Sequence, residues 1–252
     1  VIDLGADFRL RDPKVYEEWY QTKAAPAEQL AKAVYGLPEV NRQVISQCSL
    51  LANPGCYPTT VILALGPLLK EKAIDPAWLI IDSKSGVSGA GRGTTLTTHY
   101  CEVNEDFKAY GVPRHRHTPE IEQNLTAAAG SPVTVSFTPT LAPMSRGILA
   151  TCTARLVPGA DPSAVRAAWE TAYADEAFVH LLAPGVWPRT ADVLGSNSVH
   201  VQVTVDERVG RVIAVAAVDN LAKGTAGGAI QCANIALGLP ETTGLPVAGV
   251  AP

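Results

Sequence analysis

Residues 51–60 read LANPGCYPTT, and this stretch decides how the chain is organised. The apolar run ending at Ala52 is typical of a buried strand, a Pro-Gly turn follows, and Val61 to Lys72 has the pattern of a helix. The pattern therefore predicts that Cys56 lies at a strand-to-helix elbow. Unpaired backbone N–H groups and the helix dipole favour a thiolate there, and a thiolate is a nucleophile. We expect covalent catalysis through Cys56, the alternative being a cysteine that is only a small buried apolar side chain.

Composition and charge exclude several classes of protein. The 252 residues are 47% hydrophobic and 17% charged, as in an ordinary globular protein. The net charge is −4 and no basic stripe is present, so we expect no nucleic-acid partner. No apolar stretch approaches the length of a membrane span, and no signal-peptide pattern opens the chain, so we expect no membrane partner.

The five cysteines are scattered, odd in number and without a CxxC motif. This favours free thiols over a disulfide framework and predicts a cytoplasmic location. The opening residues, Val1 to Leu4, resemble the end of a buried strand without an initiator Met, so we expect that the chain lacks an earlier part.

The order of the elements predicts a mixed architecture. Short strands separated by helices precede Asn53 and indicate a parallel α/β unit, whereas the strands after Pro132 look antiparallel, including a hairpin over 199–218. The predicted fold class is α/β plus α+β. The predicted units are residues 1–56, a remainder of a Rossmann dinucleotide-binding domain; 57–219, a catalytic and oligomerisation domain; and 220–252, a helix returning to the first unit, with a tail. The segment 34–38 is predicted to be a turn.

A histidine is the second candidate for chemistry. His117 immediately precedes the predicted helix that starts at Thr118, and a histidine is the natural general base or acid beside a nucleophilic cysteine. An ordinary surface or capping role is the alternative. A zinc site made by His99, Cys101, His115 and His117 is a weaker one, because the spacing is not that of common zinc motifs. We therefore predict no metal.

Two glycine-rich segments suggest contact with a cofactor. Residues 85–93 (SGVSGAGRG) offer small side chains and free N–H groups, but match neither GxGxxG nor a Walker loop. Residues 219–229 (DNLAKGTAGGA) place Gly and Ala at helical spacing, which permits close packing. A flexible turn and a tightly packed helix are the respective structural alternatives.

Together these segments resemble the semialdehyde dehydrogenases and, among them, the N-acetyl-gamma-glutamyl-phosphate reductases of arginine biosynthesis. The resemblance rests on VIDLGADFRL (1–10), ANPGCYPT (52–59), SGVSGAGR (85–92), EVNED (102–106), HRHTPEI (115–121), PMSRG (143–147) and DNLAKG (219–224). The segments occur in the family's order and extend to about Leu239.

The resemblance implies residue roles. Cys56 matches the nucleophile and His117 the acid/base histidine, and Arg9 and Asn53 match positions near the substrate phosphate. The nicotinamide of NADP(H) would lie near Ser85, Gly86, Ser88, Gly89 and Asn220. Arg146 and the segment 102–106 are candidates for substrate specificity, each otherwise an ordinary surface charge. The adenosine half of NADP would bind sequence preceding Val1.

The resemblance also implies a reaction. Cys56 would attack the acyl carbon of N-acetyl-L-glutamyl 5-phosphate and release inorganic phosphate; NADPH would reduce the thioester, and His117 would take the hydroxyl proton as the aldehyde leaves. The family is usually oligomeric, so we expect a homo-oligomer. Gly5 and Thr60 depart from the family's usual residues, and Thr60 is expected to tighten packing behind the elbow.

Other functions remain open on the sequence. A sibling enzyme acting on an aspartyl or aminoadipyl phosphate, including one bound to a carrier protein, would share the same motifs. A thiol hydrolase would use the Cys–His pair without nicotinamide. The chain by itself could also be inactive if its nucleotide domain is truncated.

Overall fold

The computed structural model describes residues 1–250. The N-terminal part of the chain forms a small parallel sheet. Its strands, in order across the sheet, are β1 (Ile2–Asp3), β3 (Leu50–Ala52) and β2 (Ala33–Tyr35). The helices of this part are α1 (Pro13–Tyr20), α2 (Ala27–Leu30) and α3 (Pro38–Ile45). The expected parallel α/β unit is confirmed. The turn predicted over 34–38 is wrong at its start, because residues 33–35 pair with β3 as a strand.

A second, seven-stranded sheet forms the larger part. Its order is β5 (Lys108–Ala109), β6 (Val135–Ala142), β4 (Ile74–Gly86), β7 (Ile148–Leu156), β10 (Arg211–Val218), β9 (Val199–Asp206) and β8 (Val179–Leu181). The expected hairpin is the antiparallel pair β9–β10. Of the strands after Pro132, β7, β10 and β9 pair antiparallel as expected, whereas β6 pairs with β4, and β8 with β9, in parallel, so the sheet is mixed. In both parallel pairs a helix lies between the two strands in sequence, which lets the chain return to the same end of the sheet.

The remaining helices follow in chain order. They are α4 (Cys56–Lys70), α5 (Tyr100–Val103), α6 (Thr118–Ala129), α7 (Pro162–Tyr173), α8 (Thr190–Val193) and α9 (Gly227–Ala236). A π-helical turn, Ala222–Ala226, leads directly into α9. Over residues 1–250, no helix combines the length and the apolar character needed to cross a lipid bilayer.

Helix α4 organises the core. All but three of its residues are buried, since it packs on β4, β7 and β10 and also contacts α6 and α7. This explains its continuous apolar sequence, which lacks the alternating polar face of a surface helix. The helix begins at Cys56, five residues before the predicted start, with Gly55 as N-cap. Cys56 is therefore in the first helical turn.

The end of the chain packs on its beginning. Helix α9 contacts α3, and buried Cys232 donates its S–H to the carbonyl of Gly36 at 3.2 Å. Cys232 also packs in a small apolar cluster with Ile45 and Leu51. Within the second glycine-rich segment, a Cβ at Gly227 would lie 2.3 Å from Oδ1 of Asn197, so this glycine permits close packing at the start of α9.

Candidate active site

The Cys56 elbow and the His117 side chain meet at the N-terminus of α4. A Cβ built on Gly55 would lie 2.5 Å from Nε2 of His117, so the imidazole occupies the space beside the residue that precedes the cysteine. Both side chains are partly exposed. No hydrogen bond joins their side chains among the described residues. The structure therefore brings the predicted nucleophile and the predicted acid/base residue together across a space left by a missing side chain.

Electrostatics keep both groups neutral in this state. Burial raises the pKa of the Cys56 thiol to about 11, outweighing the opposing effects of the Tyr57 N–H and the Arg9 guanidinium. Burial, followed by the positive charges of Arg9 and Arg116, lowers the pKa of His117 to about 3. The expectation that the helix N-terminus alone yields a thiolate is thus wrong for this state, because burial is the larger effect.

A second histidine packs beside the first and bonds to its backbone. Nδ1 of His115 accepts a hydrogen bond from the backbone N–H of His117 at 3.1 Å. Both imidazoles pack edge-on against the ring of Tyr57. The hydroxyl of Tyr57 in turn accepts a hydrogen bond from that of Tyr110 at 3.1 Å. His115 therefore belongs to the aromatic wall of the site. Residues 1–250 contain no group of three or more His, Cys, Asp or Glu side chains that could hold a metal.

Glu120 is the central charged residue of the site. Its side chain is fully buried in the first turn of α6, and its Oε1 accepts hydrogen bonds from the Gly55 N–H and the Tyr35 hydroxyl, each at 2.8 Å. Its Oε2 lies 3.5 Å from Nη1 of Arg9. In the sequence Glu120 was only an acid in the first turn of a helix. Its burial depends on packing between α4 and α6, and no local pattern reveals that.

The two predicted phosphate-binding residues lie together. Arg9 Nε donates to the carbonyl of Asn53 at 2.7 Å, and Arg9 Nη2 donates to the carbonyl of Leu4 at 3.2 Å. With the bond to Glu120, three of the five guanidinium N–H groups have partners. The amide of Asn53 donates to the carbonyl of Thr225 at 3.2 Å, whereas its buried Oδ1 has no partner in the described part of the chain.

The predicted cofactor residues divide into two groups. Ser88 is partly exposed and Gly89 is exposed, whereas Ser85, Gly86 and Asn220 are buried. Asn220 Nδ2 donates to Oγ of Ser88 at 3.0 Å, and its Oδ1 accepts from the N–H of Gly147 at 2.7 Å. Asn220 thus holds the surface loop from behind. Residues 85–86 are the end of strand β4, so the loop predicted over 85–93 begins only at residue 87. Its first residues, Val87–Ala90, form a 3₁₀ turn.

The absence of a side chain at Gly86 has a structural explanation. A Cβ at this position would lie 2.6 Å from the backbone nitrogen of Arg146. The Arg146 guanidinium forms an ion pair with buried Asp219 at 3.0 Å, and its side chain is 38% exposed. The Arg146 guanidinium therefore keeps N–H donors available at the surface. The segment 102–106 is mostly exposed and makes no hydrogen bond to Arg146 within residues 1–250.

The turn after β10 links the predicted cofactor residue Asn220 to the Cys56 elbow. Gly224 packs against the nucleophile, since a Cβ there would lie 2.9 Å from the Cβ of Cys56. The N–H of Gly224 donates to the carbonyl of Asp219 at 3.0 Å. Residues near Asn220 and the Cys56 elbow thus share one wall.

The two departures from the family pattern have local effects. Oγ1 of Thr60 donates to the carbonyl of Cys56 at 2.9 Å, so this residue adds a hydrogen bond to the elbow. The N–H of Gly5 donates to Oδ1 of Asp3 at 3.0 Å.

The chain was compared with known protein families and sequences. Residues 56–220 match the family model described as semialdehyde dehydrogenase, dimerisation domain. An N-acetyl-gamma-glutamyl-phosphate reductase of Moorella thermoacetica is 55% identical over 252 residues, which are the whole of this chain and 73% of that protein. The enzyme of the same name from Acidothermus cellulolyticus is 56% identical over 255 residues, with the same coverage.

Solved structures share the fold at low sequence identity. Aspartate semialdehyde dehydrogenase II of Vibrio cholerae superimposes with a TM-score of 0.65 at 16% identity, over 89% of this chain and 77% of that one. A probable aspartate-semialdehyde dehydrogenase of Pseudomonas aeruginosa gives 0.63 at 19% identity, over 82% and 69%. These neighbours establish the fold alone.

Proposed function

The chain belongs to the N-acetyl-gamma-glutamyl-phosphate reductase family, and from this premise we propose that it reduces N-acetyl-L-glutamyl 5-phosphate to the 5-semialdehyde, in arginine biosynthesis, through a thioester on Cys56. The observation that supports the thioester is the position of His117 Nε2 in the space beside Gly55, the residue that precedes Cys56. A nucleophile and a proton acceptor are thus adjacent at one surface.

In the first step the sulfur of Cys56 bonds to the acyl carbon and the bond to the phosphate oxygen breaks. The thiol is neutral at pH 7, so its proton must leave as the bond forms, and the neutral imidazole of His117 accepts it. Arg9 holds the departing phosphate, and the carbonyl of Asn53 keeps Arg9 in place by accepting its Nε–H. The Asn53 amide donates to the carbonyls of Pro54 and Thr225, so it binds phosphate only by exchanging one of these hydrogen bonds. Arg9 has unused N–H donors for this purpose, and a guanidinium binds phosphate oxygens well.

The second step consumes the thioester. NADPH, when bound, supplies the hydride that brings the acyl group to the aldehyde level. His117, protonated in the first step, gives that proton to the oxygen of the reduced thioester. It takes the hydroxyl proton back as the carbon–sulfur bond breaks and passes it to the departing sulfur, which regenerates the thiol. A thioester suits this step because it accepts hydride more readily than a carboxylic ester does.

The residues near Ser88 fit a flat amide-bearing ring. Gly89 is exposed and leaves backbone accessible, and Ser88 is fixed by Asn220. One N–H of the Asn220 amide is used by Ser88, which leaves the other available. We propose that Ser88 and Gly89 contact the nicotinamide of NADP(H), with Ser85, Gly86 and Asn220 supporting them.

The same premise divides the chain. We assign residues 1–56 and 220–252 to the nucleotide-binding unit and 57–219 to catalysis and assembly, as the packing of α9 on α3 supports. A reducing compartment such as the cytoplasm suits a free thiol nucleophile.

We also propose a homo-oligomer built on the open face of the large sheet. One face is covered by α4 and α7; the other carries a row across the strands formed by Ser136, Ile80, Thr153, Ile213 and Thr204. Ile80 is 42% exposed there. A second copy is the natural occupant, because the matching family model is a dimerisation domain.

The test is the reverse reaction with the natural full-length protein. We expect N-acetylglutamate 5-semialdehyde to reduce NADP only when inorganic phosphate is present. Turnover with aspartate semialdehyde instead would favour a sibling acyl-phosphate reductase. Hydrolysis of an activated ester without NADP or phosphate, together with no NADP reduction, would favour a thiol hydrolase.

A further inference from the structure

A buried lysine lies directly behind the catalytic elbow. Lys223 belongs to the π-helical turn Ala222–Ala226, and its side chain has no exposed surface. Its Nζ is 2.5 Å from Oε1 of Glu39 and donates to Oε1 of Gln231 at 2.6 Å. The Glu39 side chain is only 1% exposed, so this is an ion pair removed from water. Because a buried charge is costly unless it is paired, removing one partner alone lowers the free energy of unfolding.

Further charged and polar groups surround the Lys223–Glu39 pair and form a network with it. Gln231 Nε2 donates to Oε1 of Glu241 at 2.6 Å. Glu241 accepts from Arg42, which also binds Glu176 at 2.9 Å. This network connects α3, the residues after α7, the π-helical turn, α9 and the C-terminal tail. Lys223 is its contact with the turn, and Glu39 is its contact with the parallel sheet unit.

The turn that carries Lys223 also contacts the reacting residue. The next residue, Gly224, packs on the Cβ of Cys56, and a Cβ there would be only 2.9 Å away. The carbonyl of the following residue, Thr225, accepts a hydrogen bond from the Asn53 amide at 3.2 Å. A shift of this turn by a fraction of an ångström would therefore move the back of Cys56 and the orientation of Asn53. π-helical turns are often found at functional sites.

We propose that Lys223 and Glu39 are positioning residues, and that their ion pair fixes the π-helical turn so that Cys56 and Asn53 keep their reactive orientation. The inference rests on the proposed function of Cys56. Neither charge touches the reacting atoms, so the pair acts through Gly224 and Thr225. Small misplacements of reacting groups lower rates steeply, which makes such a pair important for turnover.

The experiment compares three variants of the natural full-length protein. Glu39→Gln removes one charge and keeps an acceptor for Lys223, and Lys223→Met with Glu39→Leu replaces the pair by apolar side chains. Arg166→Met is the control for loss of a charged side chain away from the elbow, because Arg166 bonds to Glu170, Gln202 and the carbonyl of Leu182 and to no residue of the site. The readouts are kcat, KM, the thermal midpoint, and the rate of Cys56 alkylation by iodoacetamide followed by peptide mass spectrometry.

We expect the Glu39→Gln variant to stay folded at the assay temperature with kcat reduced by about tenfold or more, KM changed by less than about threefold, and an altered alkylation rate at Cys56. The double variant should show the same pattern. The Arg166→Met protein should keep kcat and the alkylation rate within about twofold.

A folded Glu39→Gln protein with wild-type kcat and wild-type Cys56 alkylation would overturn the proposal. A loss of kcat that only follows the unfolded fraction would overturn it as well. Alkylation needs no turnover, so a changed alkylation rate supports positioning even if the wild-type protein fails to reduce NADP. Failure of the proposed function is thereby separated from failure of this inference.

Discussion

Glu120 Oε1 accepts the backbone N–H of Gly55 at 2.8 Å, so a buried carboxylate on α6 holds the residue that caps the nucleophile's helix. The same carboxylate raises the pKa of Cys56 as a secondary effect after burial. One residue thus fixes the geometry of the elbow and opposes ionisation of the thiol. Because the Glu120 side chain is fully buried, water does not screen its charge from the thiol.

Glu120→Gln should therefore lower the pKa of Cys56. The neutral amide keeps an oxygen for the Gly55 N–H but removes the negative charge near the sulfur. The measurement is the pH dependence of Cys56 alkylation, with exposed Cys101 in the same protein as the internal control. A pH profile for Cys56 that is unchanged, or displaced to higher pH, would refute this role.

Gly55→Ala should disable the site with little change elsewhere. The new methyl group would lie 2.5 Å from Nε2 of His117, so the imidazole must move away from the sulfur. We expect kcat to fall by about a hundredfold. Gly66→Ala, in the same helix, is the control, because a Cβ there meets only Ile62 at 3.9 Å. The control should keep full activity and gain about 0.5–1 kcal/mol of stability; equal kcat for both variants would contradict the geometry.

Acid should destabilise the fold through the histidine pair. Burial lowers the pKa of His115 and of His117 to about 3, whereas an unfolded histidine titrates near 6.5. The unfolded chain binds more protons between these values, so the free energy of unfolding falls as the pH falls from about 6.5 towards 3.

The comparison of pH slopes isolates one of these protons. His117→Gln should reduce the pH dependence of the free energy of unfolding by up to about one proton over pH 5–6.5, measured by urea denaturation. Equal slopes for wild type and His117→Gln would show that His117 is not held neutral.

Ile80→Glu should dissociate the oligomer. A carboxylate in the middle of the open sheet face would be buried without a partner when two copies associate. Sedimentation velocity should show a smaller species for this variant, and the wild-type species for Val209→Glu, whose equally exposed valine lies at the β9–β10 hairpin turn. Unchanged sedimentation for Ile80→Glu would place the interface elsewhere.

The sequence contained strong local signals for part of this architecture. Asp12 and Asp161 each stand directly before a proline that opens a helix, a pattern typical of an N-cap, and both side chains accept a backbone N–H two residues on. Gly130 ends α6 in the left-handed conformation, which glycine adopts without strain. Such features depend on a few neighbouring residues, so a sequence displays them directly.

The features that local patterns missed depend on distant packing. The start of α4 at Cys56, the strand at 33–35 and the parallel pairs in the large sheet are set by partners far along the chain. The burial of Glu120 and Lys223 is equally invisible, since each is an ordinary charged residue until its partner is placed. The thiol pKa was predicted from the helix terminus alone and reversed by burial, which only the fold determines.

Two single variants, Cys56→Ser and His117→Asn, separate a loss of chemistry from a loss of folding. Removing the thiol should abolish turnover, because an alkoxide leaving group and a carboxylic ester replace the thiol and thioester. Removing the imidazole should cost about a hundredfold or more in kcat. Both proteins should keep wild-type thermal midpoints within a few degrees. Near-normal aldehyde oxidation by Cys56→Ser would reject a covalent mechanism.

The most direct measurement of the central claim is the intact mass of the natural full-length protein after exposure to N-acetyl-L-glutamyl 5-phosphate without NADPH. Covalent catalysis predicts one N-acetylglutamyl adduct, located on Cys56 by peptide mapping, absent in Cys56→Ser and released on adding NADPH. Normal turnover with no trapped adduct on Cys56, or with the adduct on another residue, would contradict the account.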